Sequence, residues 1–109
     1  MIFNKDHALI AIKHDARNVS RVSIELRDTK EVMEFAILRN PFAIIHASDR
    51  LKRDRHFIHS MIHRLGWGSL WMLIMIQDIY KDDKETIEIA MKYNAEIIQI
   101  ASDKISNLK

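Results

Sequence analysis

The stretch Asp28–Asp54 reads DTKEVMEFAILRNPFAIIHASDRLKRD, and it decides the fold. Asp82–Asn107, DDKETIEIAMKYNAEIIQIASDKISN, lies over it at an offset of 54. Ala36 then falls on Ala90, Asn40 on Asn94, and Ala47-Ser48-Asp49 on Ala101-Ser102-Asp103. At an offset of 25 the start of the chain joins: Lys5 meets Lys30, Ala11 meets Ala36, Asp15 meets Asn40 and Ser23 meets Ser48. Asp54 opens a further, degenerate copy. There Gly66 takes the Asn position, and two extra residues precede Ile79. Self-similarity at such a period is the mark of a repeat architecture.

Each unit reads as two short helices. Asp28 with Glu31, and Asp82 with Glu85, have capping-box spacing. Val32, Phe35 and Ala36, like Ile87, Ala90 and Met91, recur at helical spacing. Asn40-Pro41 stops the first helix and starts the next, because proline disfavours a helical residue before it and fits the first helical position. Asp15-Ala16 and Asn94-Ala95 match that break. The second helices carry Phe42, Ile45 and Ala47, or Ile97, Ile98 and Ala101, and Ser48-Asp49 and Ser102-Asp103 favour a turn after them. One such unit cannot bury its apolar face, whereas stacked units share a core. We therefore expect an all-α, single-domain array over residues 1–109. It has about four tandem helix-turn-helix repeats of about 25 residues (4–27, 28–53, 54–81 and 82–107), or about eight helices. The alanines Ala36, Ala47, Ala90 and Ala101 should sit where helices approach.

Composition agrees. The 109 residues are 48% hydrophobic, enough for one core, with no cysteine for disulfides or thiolate metal sites. Two glycines and one proline are too few for a sandwich of short strands. The longest apolar run, Leu70–Ile76, is far short of the roughly 20 residues that span a bilayer. Met1–Asp6 lacks the basic and apolar pattern of a cleaved leader. We expect a soluble cytoplasmic protein with no membrane contact; delivery into a host cell by a route that reads no leader stays open.

The pattern from Asp28 to Asp54, and again from Asp82 to Asn107, resembles the short helical repeats of domain-of-unknown-function family 4116. The family usually has Asn-Gly between the helices; here Pro41, Ala16 and Ala95 replace that glycine, and Gly66 lacks the asparagine. Such repeats occur in effectors of intracellular bacteria and in their regulators. The resemblance implies a helical scaffold that binds another protein, and it carries no catalytic residues across.

Three clusters could bear chemistry. His59 and His63 lie at i, i+4 and could share a metal ion, although no third ligand accompanies them and a polar helix stripe explains them as well. Arg50, Lys52, Arg53, Arg55 and Arg64 form a basic stripe, suited to an acidic partner or to phosphates. Residues 1–77 hold 12 basic and 8 acidic side chains, residues 78–109 hold 5 and 7. The segment Gly66–Ile76 is apolar throughout. Most of it must be core, yet Trp67, Trp71, Met72 and Met75 include residue types common in interface hot spots and adaptable contacts. No glycine-rich phosphate loop or nucleophile elbow occurs, and Ser23, Ser48 and Ser102 read as punctuation.

The expected function is a non-enzymatic, cofactor-free protein-interaction module that inhibits or regulates a bacterial effector enzyme. Trp67, Trp71 and Met72 would anchor the partner, and Arg50, Lys52, Arg53 and Arg55 would orient it. Nucleic-acid binding through residues 50–64 and a His59/His63 metal site are the alternatives, and self-association into a homodimer is open.

Overall fold

The computed structural model describes residues 1–93 and Ala95, and every regular element in that span is helical. α1 (Lys5–His14) is followed by a 3-10 helix, η1 (Ala16–Arg21), and a short α2 (Ile24–Arg27). The same order returns as α3 (Lys30–Arg39), η2 (Pro41–His46) and α4 (Asp49–Arg53). Then come α5 (Arg55–Leu65), η3 (Gly66–Gly68), α6 (Ser69–Met75), α7 (Gln77–Tyr80) and a helix over residues 84–93. The expected second helix is thus a 3-10 turn and a short α-helix. Ser23 and Ser48 make that division. Each hydroxyl accepts the backbone N–H three residues on, from Leu26 at 3.3 Å and Leu51 at 3.2 Å, so each starts a helix where a turn was expected.

Local chemistry fixes the other starts. Asn4, Asp54 and Asp83 cap their helices by accepting from the N–H of His7, Phe57 and Thr86. Asp15 and Asn40 cap η1 and η2 by accepting from Arg17 and Phe42, with Pro41 in the first position of η2. The capping boxes read at Asp28 and Asp82 are displaced by one residue. Thr29 is the N-cap of α3, and the Asp28 carboxylate accepts instead from Ser48 Oγ and from Arg50 Nε of the following segment. Glu31 and Glu85 likewise reach outward, to Lys5 and Arg55.

The array is held by contacts that recur with the sequence period. Ile12, Ile37 and Ile62, 25 residues apart, are fully buried, as are Ala8, Met33 and Ile58. Ala36, Ala47 and Ala90 are buried too, and Ala101 lies outside the described residues. The carbonyls of residues 2, 27 and 52 form a second ladder. Ile2 O accepts from Ser23 N (2.8 Å) and Arg27 O from Ser48 N (3.1 Å). At Lys52 O the donor is the Tyr80 hydroxyl, at 2.7 Å. Burial pushes that phenol up to about 12, so it remains a donor across the physiological range. The first rung, with Ile2 N donating to Arg21 O, docks the N-terminus against Val22 as an isolated parallel bridge. A third ladder is ionic: Lys5 pairs with Glu31, Lys30 with Asp54, and Arg55 with Asp83 and Glu85. Exposed pairs add little stability; these link successive segments at the same 25-residue period. The molecule measures 51 × 24 × 21 Å.

Candidate protein-interaction site

The continuous apolar run acquires two faces. α6 packs on η2 and α5. Ser69, Met72 and Ile76, at i, i+3 and i+7, turn inward and are buried. Met72, expected as a contact residue, is fully buried and belongs to the core. Trp71 stands one position, or about 100° of helix, away and is 45% exposed. Its ring lies 6.0 Å from that of Phe42 on η2, tilted by 49°. Trp67, on η3, is 64% exposed. Phe42 and Trp71 thus pair as an exposed aromatic ridge, and Met75 on α6 is also partly exposed.

The basic cluster is elsewhere. Arg55 and Gly66 stand at opposite ends of α5, an 11-residue helix roughly 16 Å long, so Trp67 and Arg55 do not form one patch. Much of the charge is also used internally. Arg50 bonds the Asp28 carboxylate and carbonyl. Arg55 forks onto Asp83 and Glu85, and Arg64 pairs with Glu34. Among the described residues Lys52 and Arg53 are the members of the cluster without an ion pair, and Arg53 is exposed. The two histidines are engaged as well: His59 Nε2 lies 2.7 Å from Thr86 Oγ1 and His63 Nδ1 lies 2.6 Å from Tyr93 Oη. They hydrogen-bond α5 to the helix over 84–93. Among the described residues no group of three or more His, Asp or Glu side chains is placed to hold a metal ion.

Asp83 joins the two kinds of contact. It caps the last described helix and receives Arg55 Nε at 2.8 Å. The Arg55 guanidinium first, then the Thr86 N–H, hold its carboxyl at about 2, below the ordinary 3.8. A depressed carboxylate pKa stabilises the fold above the unfolded value and loses that effect as pH falls through the folded one. The thermal midpoint should therefore decline between about pH 4 and about pH 2. Asp83→Asn should lower the midpoint at pH 7 and flatten the acid limb. A variant with an unchanged acid limb in a pH series of thermal melts would remove Asp83 from this role. Asp15, held at about 2 chiefly by Arg17, contributes in the same window.

A groove of about 350 Å³ separates η1 from η2, with buried Val19 and Ala43 at its base and exposed Phe42 and Ile45 beside them. Arg17, Asn40 and His46 border it. Burial first, then the Arg27 and Lys52 cations, depress the His46 pKa, favouring its neutral form. A second groove, of about 260 Å³, lies between α6–α7 and the helix over 84–93, lined by Leu70, Leu73, Ile74, Ile87 and Met91. The sequence marked Trp67 and Trp71. It did not mark Phe42 as their partner or the η1–η2 groove, although Asp15 and Asn40 at equal spacing were the signal that these segments are equivalent.

Residues 4–52 match the model of the domain of unknown function DUF4116. The chain resembles that family over α1 to α4, from the Asn4 cap to the seam carbonyl of Lys52. The DUF4116 match thus holds the η1–η2 groove and Phe42 and stops before α5. Trp67 and Trp71 lie outside it. No curated protein and no solved structure matches the chain. Among the described residues no helix is long and apolar enough to cross a membrane.

Proposed function

We propose that this chain is a non-enzymatic protein-interaction module that acts by covering a surface of another protein, and that its target is a bacterial effector enzyme which it inhibits or regulates. It works as an array of four units of about 25 residues, the last reaching beyond the described residues, in the cytosol of a bacterium or of a host cell. One observation carries this reading: Phe42 and Trp71, from successive segments, hold their rings together while both stay about half exposed, with Trp67 more exposed still. Exposed Trp clusters on a rigid scaffold are the composition of binding hot spots. The assignment of Arg50, Arg55, His59 and His63 to contacts within the array supports a structural rather than chemical use of those residues. The resemblance to DUF4116 supports a helical scaffold.

The test is quantitative affinity capture from lysate with wild-type chain, a Trp67→Ala/Trp71→Ala double variant and Arg53→Glu. Both tryptophans are exposed, so the double variant should keep its far-UV spectrum and lose the main partner by about tenfold or more. Arg53→Glu, remote from the ridge, should lose little. Equal recovery by all three proteins would refute the ridge as the binding surface. Light scattering across concentrations identifies a second copy as occupant if the mass doubles.

A further inference from the structure

The positive charge of this chain is unevenly placed. Residues 13–21 and 39–46, at the ends of α1, η1 and α3, hold Lys13, Arg17, Arg21 and Arg39 but only one carboxylate, Asp15. The whole chain is only +2, so these two segments together carry more net charge than the entire molecule. All four cations are exposed. Arg17 is paired with Asp15, while Lys13 and Arg21 have no ion pair among the described residues. Arg39 rests over the Phe35 ring, 3.5 Å from its centroid, and donates to Phe35 O. Each is Arg17 itself or lies within three residues of a side chain lining the η1–η2 groove, and no carboxylate lines that groove.

We infer that the η1–η2 groove binds a linear acidic segment of a partner protein, one bulky apolar side chain entering between Phe42 and Ile45 while flanking carboxylates meet Lys13, Arg21 and Arg39. The inference rests on the protein-binding reading above and supplies the partner's chemistry. Three features favour a peptide. The base of the groove is apolar, which rewards burial of an aliphatic or aromatic group. Arg17 lines the groove, and Lys13, Arg21 and Arg39 lie within three residues of its lining, so an acidic segment would gain charge complementarity and on-rate. The amide N–H groups of Asn40, whose oxygen is committed to Phe42 N, make no bond among the described residues and can meet a peptide carbonyl. A polyanion without apolar groups would leave Val19 and Ala43 uncovered.

The experiment selects displayed random short peptides on the immobilised full chain, in parallel with Ile45→Ser and with Lys13→Glu/Arg21→Glu. Ile45 is 47% exposed and both cations are surface residues, so these variants test the groove and not the fold. The expected enrichment is Leu, Met or Phe flanked by Asp and Glu. Ile45→Ser should erase the apolar preference, and the charge reversal should erase the acidic one, each with about a tenfold loss of affinity for the selected peptides. No enrichment, enrichment of acidic peptides without an apolar residue, or tighter binding of single-stranded RNA or anionic lipid vesicles than of any selected peptide would overturn the inference. Failure here with loss of capture in the tryptophan variant removes only the acidic-segment assignment. The reverse pattern removes the aromatic ridge and keeps the groove.

Discussion

Ile37→Asp should leave the chain without a cooperative unfolding transition. Ile37 is fully buried in α3 and is the middle member of the Ile12, Ile37, Ile62 series. α3 packs on α1 and on α5, so a defect there meets neighbours on both sides. In an array whose segments contact only adjacent ones, a central defect disconnects the two ends. The carboxylate must be buried without a cation, neutralised, or brought out by opening the core, and each route costs several kcal/mol. The net stability of a domain this size is about 5–15 kcal/mol, so little or none is left. Two controls separate this from a general sensitivity to substitution. Ile37→Val removes one methylene and should cost about 1 kcal/mol. Ile10→Asp, on α1 but 67% exposed, should stay within about 0.5 kcal/mol of wild type. Urea unfolding followed by circular dichroism reads all three, and an Ile37→Asp midpoint near that of wild type would mean the isoleucine series is not the core.

The second large effect sets two glycines against each other. Gly66→Ala should destabilise by about 1–3 kcal/mol, while Gly68→Ala should be neutral or stabilise by up to about 1 kcal/mol. Gly66 ends α5 at φ 61°, ψ −130°, a region that side chains with a Cβ avoid. Space is not the reason, because an added Cβ would meet Tyr93 Cδ1 at an ordinary 3.9 Å. The cost lies in the backbone alone. Asparagine should not rescue it, since ψ −130° lies outside the left-handed helical well that Asn tolerates. Gly68, at φ −65° and ψ −15°, has nothing within 4 Å of an added Cβ. Alanine there restricts the unfolded chain and strains nothing. Equal midpoints for the two variants in urea would show that the turn into α6 tolerates another path.

Gly66 also marks how far the sequence could be read. At Asp15 and Asn40 the chain is extended and the side chain caps the following 3-10 helix. The reading of Asn40-Pro41 as a break between helices was sound because it depends on those residues alone. Gly66 aligned with them but makes a different turn, and the longer α6 follows. The displaced capping boxes have the same origin. Asp28 has the composition of a cap, yet Ser48 and Arg50, 20 and 22 residues later, take its carboxylate. No local pattern announces that competition. The seam carbonyl of Lys52 is likewise met by Tyr80 where the first two are met by backbone N–H groups, so function was kept while the donor changed.

The residues by themselves determined the helical class and the 25-residue spacing over the first half, because caps, Pro41 and apolar periodicity are properties of short segments. Which apolar residues face outward, and which cations remain available, only the tertiary structure decided. Met72 and Trp71 are adjacent in the chain and equally apolar in pattern; the approach of η2 and α5 to one side of α6 buries the first and leaves the second exposed beside Phe42. Arg50 and Arg55 are cations in any sequence, but stacking brings Asp28, Asp83 and Glu85 to them, while Lys13 and Arg21 have no ion pair among the described residues. Burial and charge pairing depend on neighbours more than twenty residues away, and distance in space is set by how segments stack.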